Sequence, residues 1–145
     1  MYKTIVVGTD GSPTAAEAVR VAGQMAQLCG ASVHVVTAYR PTSELFFHPE
    51  FAALPSDVHE QIDPAGGAQQ TAAHALEAMP KDVTTGSHAR PGSAADVLCD
   101  MASEVGADLI IVGNRGMTGA RRLLGSVPNS VAHHAPCAVL IVPTS

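Results

Sequence analysis

The chain has 145 residues, with eight Lys and Arg against 13 Asp and Glu and a formal net charge of −5. This balance argues against a nucleic acid partner, which needs several cationic side chains to displace counterions, and no apolar run reaches the roughly 18 residues of a membrane-spanning helix. Aromatic residues make up 3% of the chain and Trp is absent, so Val, Ile, Leu and Ala must build the core, which suits buried parallel strands covered by helices.

The first 38 residues predict a strand, a helix and a second strand. Thr4–Gly8 is a short, apolar, β-branched run, and the loop after it offers Ser12 as a helix N-cap and Pro13 as the first helical residue. Apolar residues then recur at helical spacing as far as Gly30, a typical residue to end a helix. Residues 32–38 form the second strand, and the crossover between the two strands is expected to be right-handed.

Residues 40–67 break this pattern. They contain four prolines and all three phenylalanines, Phe46, Phe47 and Phe51. Irregular segments of this length are uncommon in compact domains and are often functional. Two interpretations stay open: a surface excursion whose Phe side chains pack back on the edge of the sheet, and a lid or partner-binding segment.

The rest of the chain continues the alternation of helices and strands. Predicted helices cover residues 68–79, a segment capped by Ser93 and ended by Gly106, and residues 126–135. Predicted strands cover residues 83–88, 108–113 and 137–142. Five strands alternating with helices predict one doubly wound, Rossmann-like α/β domain with a parallel sheet over residues 1–145. The strand order expected for this sheet is 3-2-1-4-5.

The glycine-rich stretch after the 108–113 strand carries the main functional signal. It begins at the carboxyl end of that strand, where open α/β sheets bind ligands. Gly113 and Gly116 have no side chain, so their backbone N–H groups can approach an anion, and Gly125 and Ser126 stand at a helix start, which favours phosphate. Arg115 can add positive charge. The alternative is that these glycines serve only a tight strand-to-helix connection.

A second polar loop, residues 9–12, follows the first strand. In the order 3-2-1-4-5 this loop and the glycine-rich loop flank one crevice. Asp10 could then hold a ribose hydroxyl or a divalent metal that bridges phosphates. Its alternative role is an Asx-type cap on the first helix, and the sequence leaves the two roles open.

The chain resembles the universal stress protein family over essentially its whole length. The resemblance lies in residues 5–12 (IVVGTDGS), 107–113 (ADLIIVG), the glycine loop and residues 135–142 (APCAVLIV). Nucleotide-binding members of that family carry Gly-x2-Gly-x9-Gly-Ser/Thr. Gly113 and Gly116 match the first pair and Gly125-Ser126 the last, with eight residues between Gly116 and Gly125 where the family has nine. The shorter loop leaves both anion-binding ends in place.

The resemblance implies binding of ATP, with Mg²⁺ on its phosphates. Asp10 would lie near the ribose and the metal, and Ala38 would meet adenine through its backbone. The predicted nucleotide-binding residues are Gly8, Thr9, Asp10, Ala38, Val112, Gly113, Arg115, Gly116, Gly125, Ser126 and Val127. Some members of the family prefer cyclic AMP, and others that lack the glycine motif bind no nucleotide. Members commonly form dimers through the last strand, here residues 137–142, where Leu140 and Val142 would offer an apolar edge.

Fast catalysis is not predicted. The chain has no P-loop motif, and its two lysines, Lys3 and Lys81, lie outside the glycine loop. No general base follows that loop, so we expect nucleotide binding with no catalytic residues and at most slow ATP hydrolysis. A slow ATPase, a cyclic AMP-binding protein and an interaction module without nucleotide are the other candidates.

The remaining reactive residues predict no further site. The seven histidines lack zinc-finger spacing and are interpreted as solvated surface residues. Cys29, Cys99 and Cys137 are far apart in sequence and flanked by apolar residues, which is typical of reduced core cysteines in a cytoplasmic protein. The N-terminus lacks the long uncharged core of a signal peptide, so we expect a cytoplasmic protein.

Overall fold

The computed structural model describes residues 1–45, 47, 49–57, 62–114 and 126–143. Its strands are β1 (Thr4–Gly8), β2 (Ser32–Tyr39), β3 (Thr85–Pro91), β4 (Leu109–Gly113) and β5 (Ala138–Val142). Its helices are α1 (Pro13–Cys29), α2 (Thr42–Leu45), α3 (Pro49–Ala52), α4 (Pro64–Ala75), α5 (Ala94–Val105) and α6 (Ser126–His134), and a 3-10 turn at Leu76–Ala78 follows α4. None of the helices in these ranges combines the length and apolarity needed to cross a membrane.

Within the described residues the five strands form one parallel sheet in the order β3-β2-β1-β4-β5, which confirms the predicted topology. β1 is central and pairs with β2 on one side and β4 on the other. Because α1 and α6 leave β1 and β4 toward opposite faces, the carboxyl ends of these two strands border an open crevice.

Each face of the sheet carries its own apolar cluster. On one face, Ile5 and Val33 pack with residues of α1 and α4 such as Ala22 and Ala72. On the other face, strand residues including Ile110 pack with α5 and α6. Since successive strand residues point to opposite faces, the near-continuous apolar runs of β1 and β4 fill both clusters at once.

The predicted ends of α1 and α5 are confirmed. The Ser12 hydroxyl accepts a hydrogen bond from the Ala15 backbone N–H at 3.2 Å, and the Ser93 hydroxyl accepts one from Asp96 at 3.3 Å. Gly30 and Gly106 end the two helices in the left-handed conformation, with φ of 71° and 66°. These caps use partners within a few residues, so the local sequence defines them.

The third helix and third strand differ from their predicted bounds. Helix α4 begins at Pro64 because the Asp63 carboxylate caps it, accepting from the Gly66 N–H at 3.0 Å. Strand β3 runs to Pro91, and the Gly92 N–H continues its pairing by donating to the Tyr39 carbonyl at 2.9 Å. The predicted strand at 83–88 therefore began too early and ended too early.

The segment 40–67 contains the short helices α2 and α3. The side chain of Phe47 is 87% exposed, so for this residue the expectation that it packs on the sheet edge is wrong. Phe46 lies outside the described residues, as does the side chain of Phe51.

Candidate functional site

An open crevice lies at the carboxyl ends of β1, β2 and β4, between the first turns of α1, α5 and α6. Its described lining consists of Gly8, Thr9, Asp10, Ser12, Thr14, Ala15, Val36, Ala38, Ala94, Val97, Leu98, Val112, Gly113 and Val127. Seven predicted site residues meet here: Gly8, Thr9, Asp10, Ala38, Val112, Gly113 and Val127.

The loop after β1 is held by its own hydrogen bonds. The Thr9 N–H donates to the Val36 carbonyl at 3.0 Å, and the Thr9 hydroxyl accepts from the Gly11 N–H at 3.1 Å. Gly11 has a φ of +83°, a conformation that side chains rarely adopt. The loop is therefore shaped before any ligand arrives.

Asp10 combines a structural contact with a place in the crevice. Its Oδ1 accepts a hydrogen bond from the Ser12 N–H at 2.9 Å, which is the Asx-type interaction named as one of its two roles. The other carboxylate oxygen has no partner among the described residues, and the side chain lines the crevice. The Asx-type role and a ligand contact are therefore compatible.

The two strands that border the crevice, β1 and β4, both end in a glycine. A Cβ on Gly8 would come within 3.1 and 3.2 Å of the Leu98 methyl groups, so the glycine lets α5 lie close across the end of β1. Gly113 is the last residue of β4, and the Asn114 N–H beyond it donates to the Val142 carbonyl at 2.9 Å.

The apolar wall of the crevice was not anticipated as part of a site. Val97 and Leu98 are 5% and 3% exposed, as expected for the apolar stripe of a helix that packs on a sheet, but both also line the crevice together with Ala94. The signal available in the sequence was the Gly92-Ser93 helix start, since α5 begins at the same end of the sheet as the two predicted loops.

Three helix N-termini border the crevice, those of α1, α5 and α6. Each supplies partial positive charge and backbone N–H groups that lack helical partners, so their convergence favours an anion. Helix α6 begins at Ser126, as predicted, and Val127 in its first turn is a partly buried lining residue.

Of the predicted site residues, three lie outside the described residues and a fourth is described only in its backbone. Arg115, Gly116 and Gly125 lie outside the described residues. The backbone of Ser126 is described, but its side chain is not.

None of the described histidines and cysteines belongs to this lining. His34 and His88 are half-buried and in contact, so the interpretation of all histidines as solvated surface residues is wrong for these two. Cys29, Cys99 and Cys137 are partly buried free thiols, and burial raises the pKa of Cys99 and Cys137, which favours the neutral thiol. In the part of the chain that the structure describes, no three His, Cys, Asp or Glu side chains could share a metal ion.

Comparison with known proteins connects this architecture to a family. The model of the universal stress protein family matches residues 1–143. A universal stress protein of Mycobacterium tuberculosis is 37% identical over 147 residues, which cover 99% of this chain and 98% of the relative. One from Thermus aquaticus is 34% identical over 98% of this chain and 99% of the relative.

Solved structures agree. A universal stress protein crystallised in complex with cAMP is 36% identical, with a TM-score of 0.68, and the match covers 99% of this chain and 98% of that one. The Archaeoglobus fulgidus universal stress protein in complex with dAMP is 25% identical, with a TM-score of 0.69 and 97% of both chains covered. The fold, the family match over nearly all residues and these relatives together establish that the chain belongs to the universal stress protein family.

Proposed function

We propose that the chain is a single nucleotide-binding domain that binds an adenine nucleotide in the crevice, with ATP and Mg²⁺ as the favoured ligand. The observation that carries this proposal is the crevice at the ends of β1 and β4, where the glycines that end these strands and the α6 N-terminus adjoin an apolar wall. Ligand pockets typically combine a mainly apolar lining with a few convergent polar groups.

The lining suggests which residues would contact the base, the ribose and the phosphates of the ligand. The apolar side chains of Val36 and Leu98 would contact the base, and the Ala38 backbone would hydrogen-bond its edge. Asp10 would hold a ribose hydroxyl or the Mg²⁺ with its unpartnered oxygen. The phosphates would meet the N–H groups of Gly113, Gly116, Gly125, Ser126 and Val127, beside the cationic Arg115.

Cyclic AMP is the second candidate ligand. A relative that is 36% identical over nearly the whole chain was crystallised in complex with cAMP, and a more distant one in complex with dAMP. A monophosphate needs the same base wall and fewer phosphate contacts, so one crevice suits both ligands. The two ligands differ in their need for Mg²⁺, which binds the three phosphates of ATP far more strongly than the singly charged cyclic diester of cyclic AMP.

We propose a binding role rather than fast catalysis, in a stress-response or signalling protein of the cytoplasm. Among the described lining residues, Asp10 is the one ionisable side chain, and its Oδ1 already accepts the Ser12 N–H. A general base must reach the attacking water within hydrogen-bond distance. We therefore expect at most slow hydrolysis of bound ATP.

Titration calorimetry with ATP and with cyclic AMP, each with and without Mg²⁺, tests the ligand. We expect saturable binding of ATP that Mg²⁺ strengthens, and loss of at least about 100-fold in affinity for Gly125→Val, because a side chain there would displace the phosphates. Gly67→Val is the control, since a Cβ at Gly67 meets nothing within 4 Å and Gly67, on α4, is not among the described lining residues of the crevice. Normal ATP binding by Gly125→Val would contradict the phosphate assignment, and wild-type protein that binds neither nucleotide would favour the interaction module.

We further propose that the chain forms a homodimer through β5. This strand ends the sheet, so its outer edge has unpaired backbone groups. Leu140 and Val142 pack toward the core, so the expectation that these two side chains offer the apolar edge is wrong. The large apolar side chain exposed on β5 is Ile141, at 36%. We expect Ile141→Lys to convert a dimer to a monomer in sedimentation velocity, whereas Leu28→Lys, on exposed α1 surface, keeps the dimer. A monomeric wild-type protein would refute the proposal.

A further inference from the structure

His34 and His88 form a contact between two neighbouring strands. His34 lies in β2 and His88 in β3, and in this parallel pair His34 is opposite Gly86 while Val36 is opposite His88. The two rings therefore share one face of the sheet as diagonal neighbours. Their centroids are 5.1 Å apart and their planes are tilted by 33°, and His34 Nδ1 lies 2.9 Å from His88 Nε2.

This contact limits the charge that the pair can carry. A hydrogen bond between two ring nitrogens needs one N–H donor and one bare nitrogen as the acceptor. If both rings are protonated, two N–H groups face each other at 2.9 Å and two positive charges adjoin. The folded pair thus holds at most one positive charge, whereas in the unfolded chain each ring titrates on its own.

The surroundings of the pair act in the same direction. Partial burial is the largest cause that lowers the pKa of His34 and of His88. From β3 itself Arg90 lowers the pKa of His88, and from α5 Glu104 raises it. Arg90 Nη1 and Glu104 Oε1 are 3.7 Å apart, so these two charges offset each other. From β1, the residue in register with His34 is the apolar Val6.

Glycine at position 86 leaves one side of the pair uncovered. A Cβ at this position would lie 3.4 Å from both hydrogen-bonded nitrogens. Because glycine has no Cβ, no side chain covers the pair there. The rings are only half-buried, so protons can reach them without unfolding of the sheet. Both conditions suit a group that responds to external pH.

We propose that His34 and His88 are an acid-sensitive latch that holds the edge strand β3 on β2. The latch is closed while at least one ring is neutral, and it opens when both rings are cationic. Because β3 is the edge strand, β2 is the strand that holds it among the described residues. Loss of the contact between the two rings therefore weakens the attachment of β3 to the sheet. Strand β3 leads through Gly92 into α5, whose first turn lines the crevice, so opening also disturbs that wall.

The direction of the pH effect follows from proton counting. Below about pH 6.5 the unfolded pair binds two protons and the folded pair at most one, so stability falls as the pH falls through that value. One excluded proton lowers the folding equilibrium constant by about 20-fold between about pH 7 and pH 5. We expect this excess loss in the wild type relative to the double variant His34→Gln/His88→Gln. Each single variant should remove most of it, because the latch needs both rings.

Urea unfolding across this pH range, with a metal chelator present, measures the difference. His133→Gln is the control for loss of a histidine outside the pair, since His133 is exposed in the last turn of α6, and this variant should retain the excess loss. A double variant with the same pH dependence as the wild type would overturn the proposal.

A second measurement on the wild type does not depend on whether the variants fold. Nitrogen-15 NMR of the histidine side chains should show His34 and His88 titrating as a coupled pair, in two steps of which the second lies well below the ordinary histidine pKa. Hydrogen exchange of β3 amides should quicken with that second step. Independent titration of both rings near the ordinary histidine value would also overturn the latch.

Discussion

Replacing Ala15 with Trp is expected to abolish adenine-nucleotide binding while the protein stays folded. Ala15 is a partly buried residue in the first turn of α1, and its side chain lines the crevice. An indole at this position would occupy the space assigned to the nucleotide. We expect calorimetry to show a loss of affinity of at least about 100-fold, or about 2.7 kcal/mol.

The neighbouring residue supplies a matched control. Ala16 is exposed on the same helical turn and is not part of the described crevice lining. Ala16→Trp makes the same chemical change to the same helix, so it should bind nucleotide as the wild type does. Equal affinities for the two variants would show that the nucleotide binds elsewhere, and the assignment of the crevice would fail.

Ile110→Ala should cause a large loss of stability. Ile110 lies in β4 with none of its surface exposed, and it belongs to the apolar cluster under α5 and α6. Removing three buried carbons leaves a cavity that a close-packed interior cannot fill, which costs about 3 kcal/mol. Urea unfolding should show this loss as a lower midpoint, with a fall of about 10 °C in the thermal midpoint.

Leu28→Ala is the control that removes the same number of carbons from a surface side chain. Leu28 is 86% exposed on α1, so nearly all of its side chain already contacts water. Its loss should cost less than about 1 kcal/mol. If Ile110→Ala were as mild as Leu28→Ala, the β4 face would not be the tightly packed core that its burial indicates.

Local interactions explain why some elements could be predicted from sequence. The caps Ser12 and Ser93 accept hydrogen bonds from N–H groups three residues ahead, so a short stretch of sequence is sufficient to predict where these helices begin. Strand β4 is predictable because every position from Leu109 to Val112 is apolar and both of its faces are covered. The alternation of strands and helices predicts a doubly wound parallel sheet, and the order 3-2-1-4-5 is one of the orders that such a sheet can take.

The part of the candidate site that follows glycines at strand ends could be predicted from the sequence. Gly8 and Gly113 end neighbouring strands, and the topology brings the loops after them together. The wall formed by Ala94, Val97 and Leu98 was missed because these residues reach the crevice only through the packing of α5 across β1. Their own sequence shows a helical stripe and nothing more.

The sequence by itself determined the alternation of elements, the helix caps, the doubly wound class of the sheet and the loops that border the crevice, because each depends on neighbours in the chain or on apolar periodicity. Tertiary structure alone decided the bounds of the half-buried edge strand β3, the closing of the crevice by α5 and the meeting of His34 with His88. Those features join residues that are far apart in sequence: His34 and His88, for example, are separated by 54 positions. Their contacts exist only once separate elements have packed, so no local pattern encodes them.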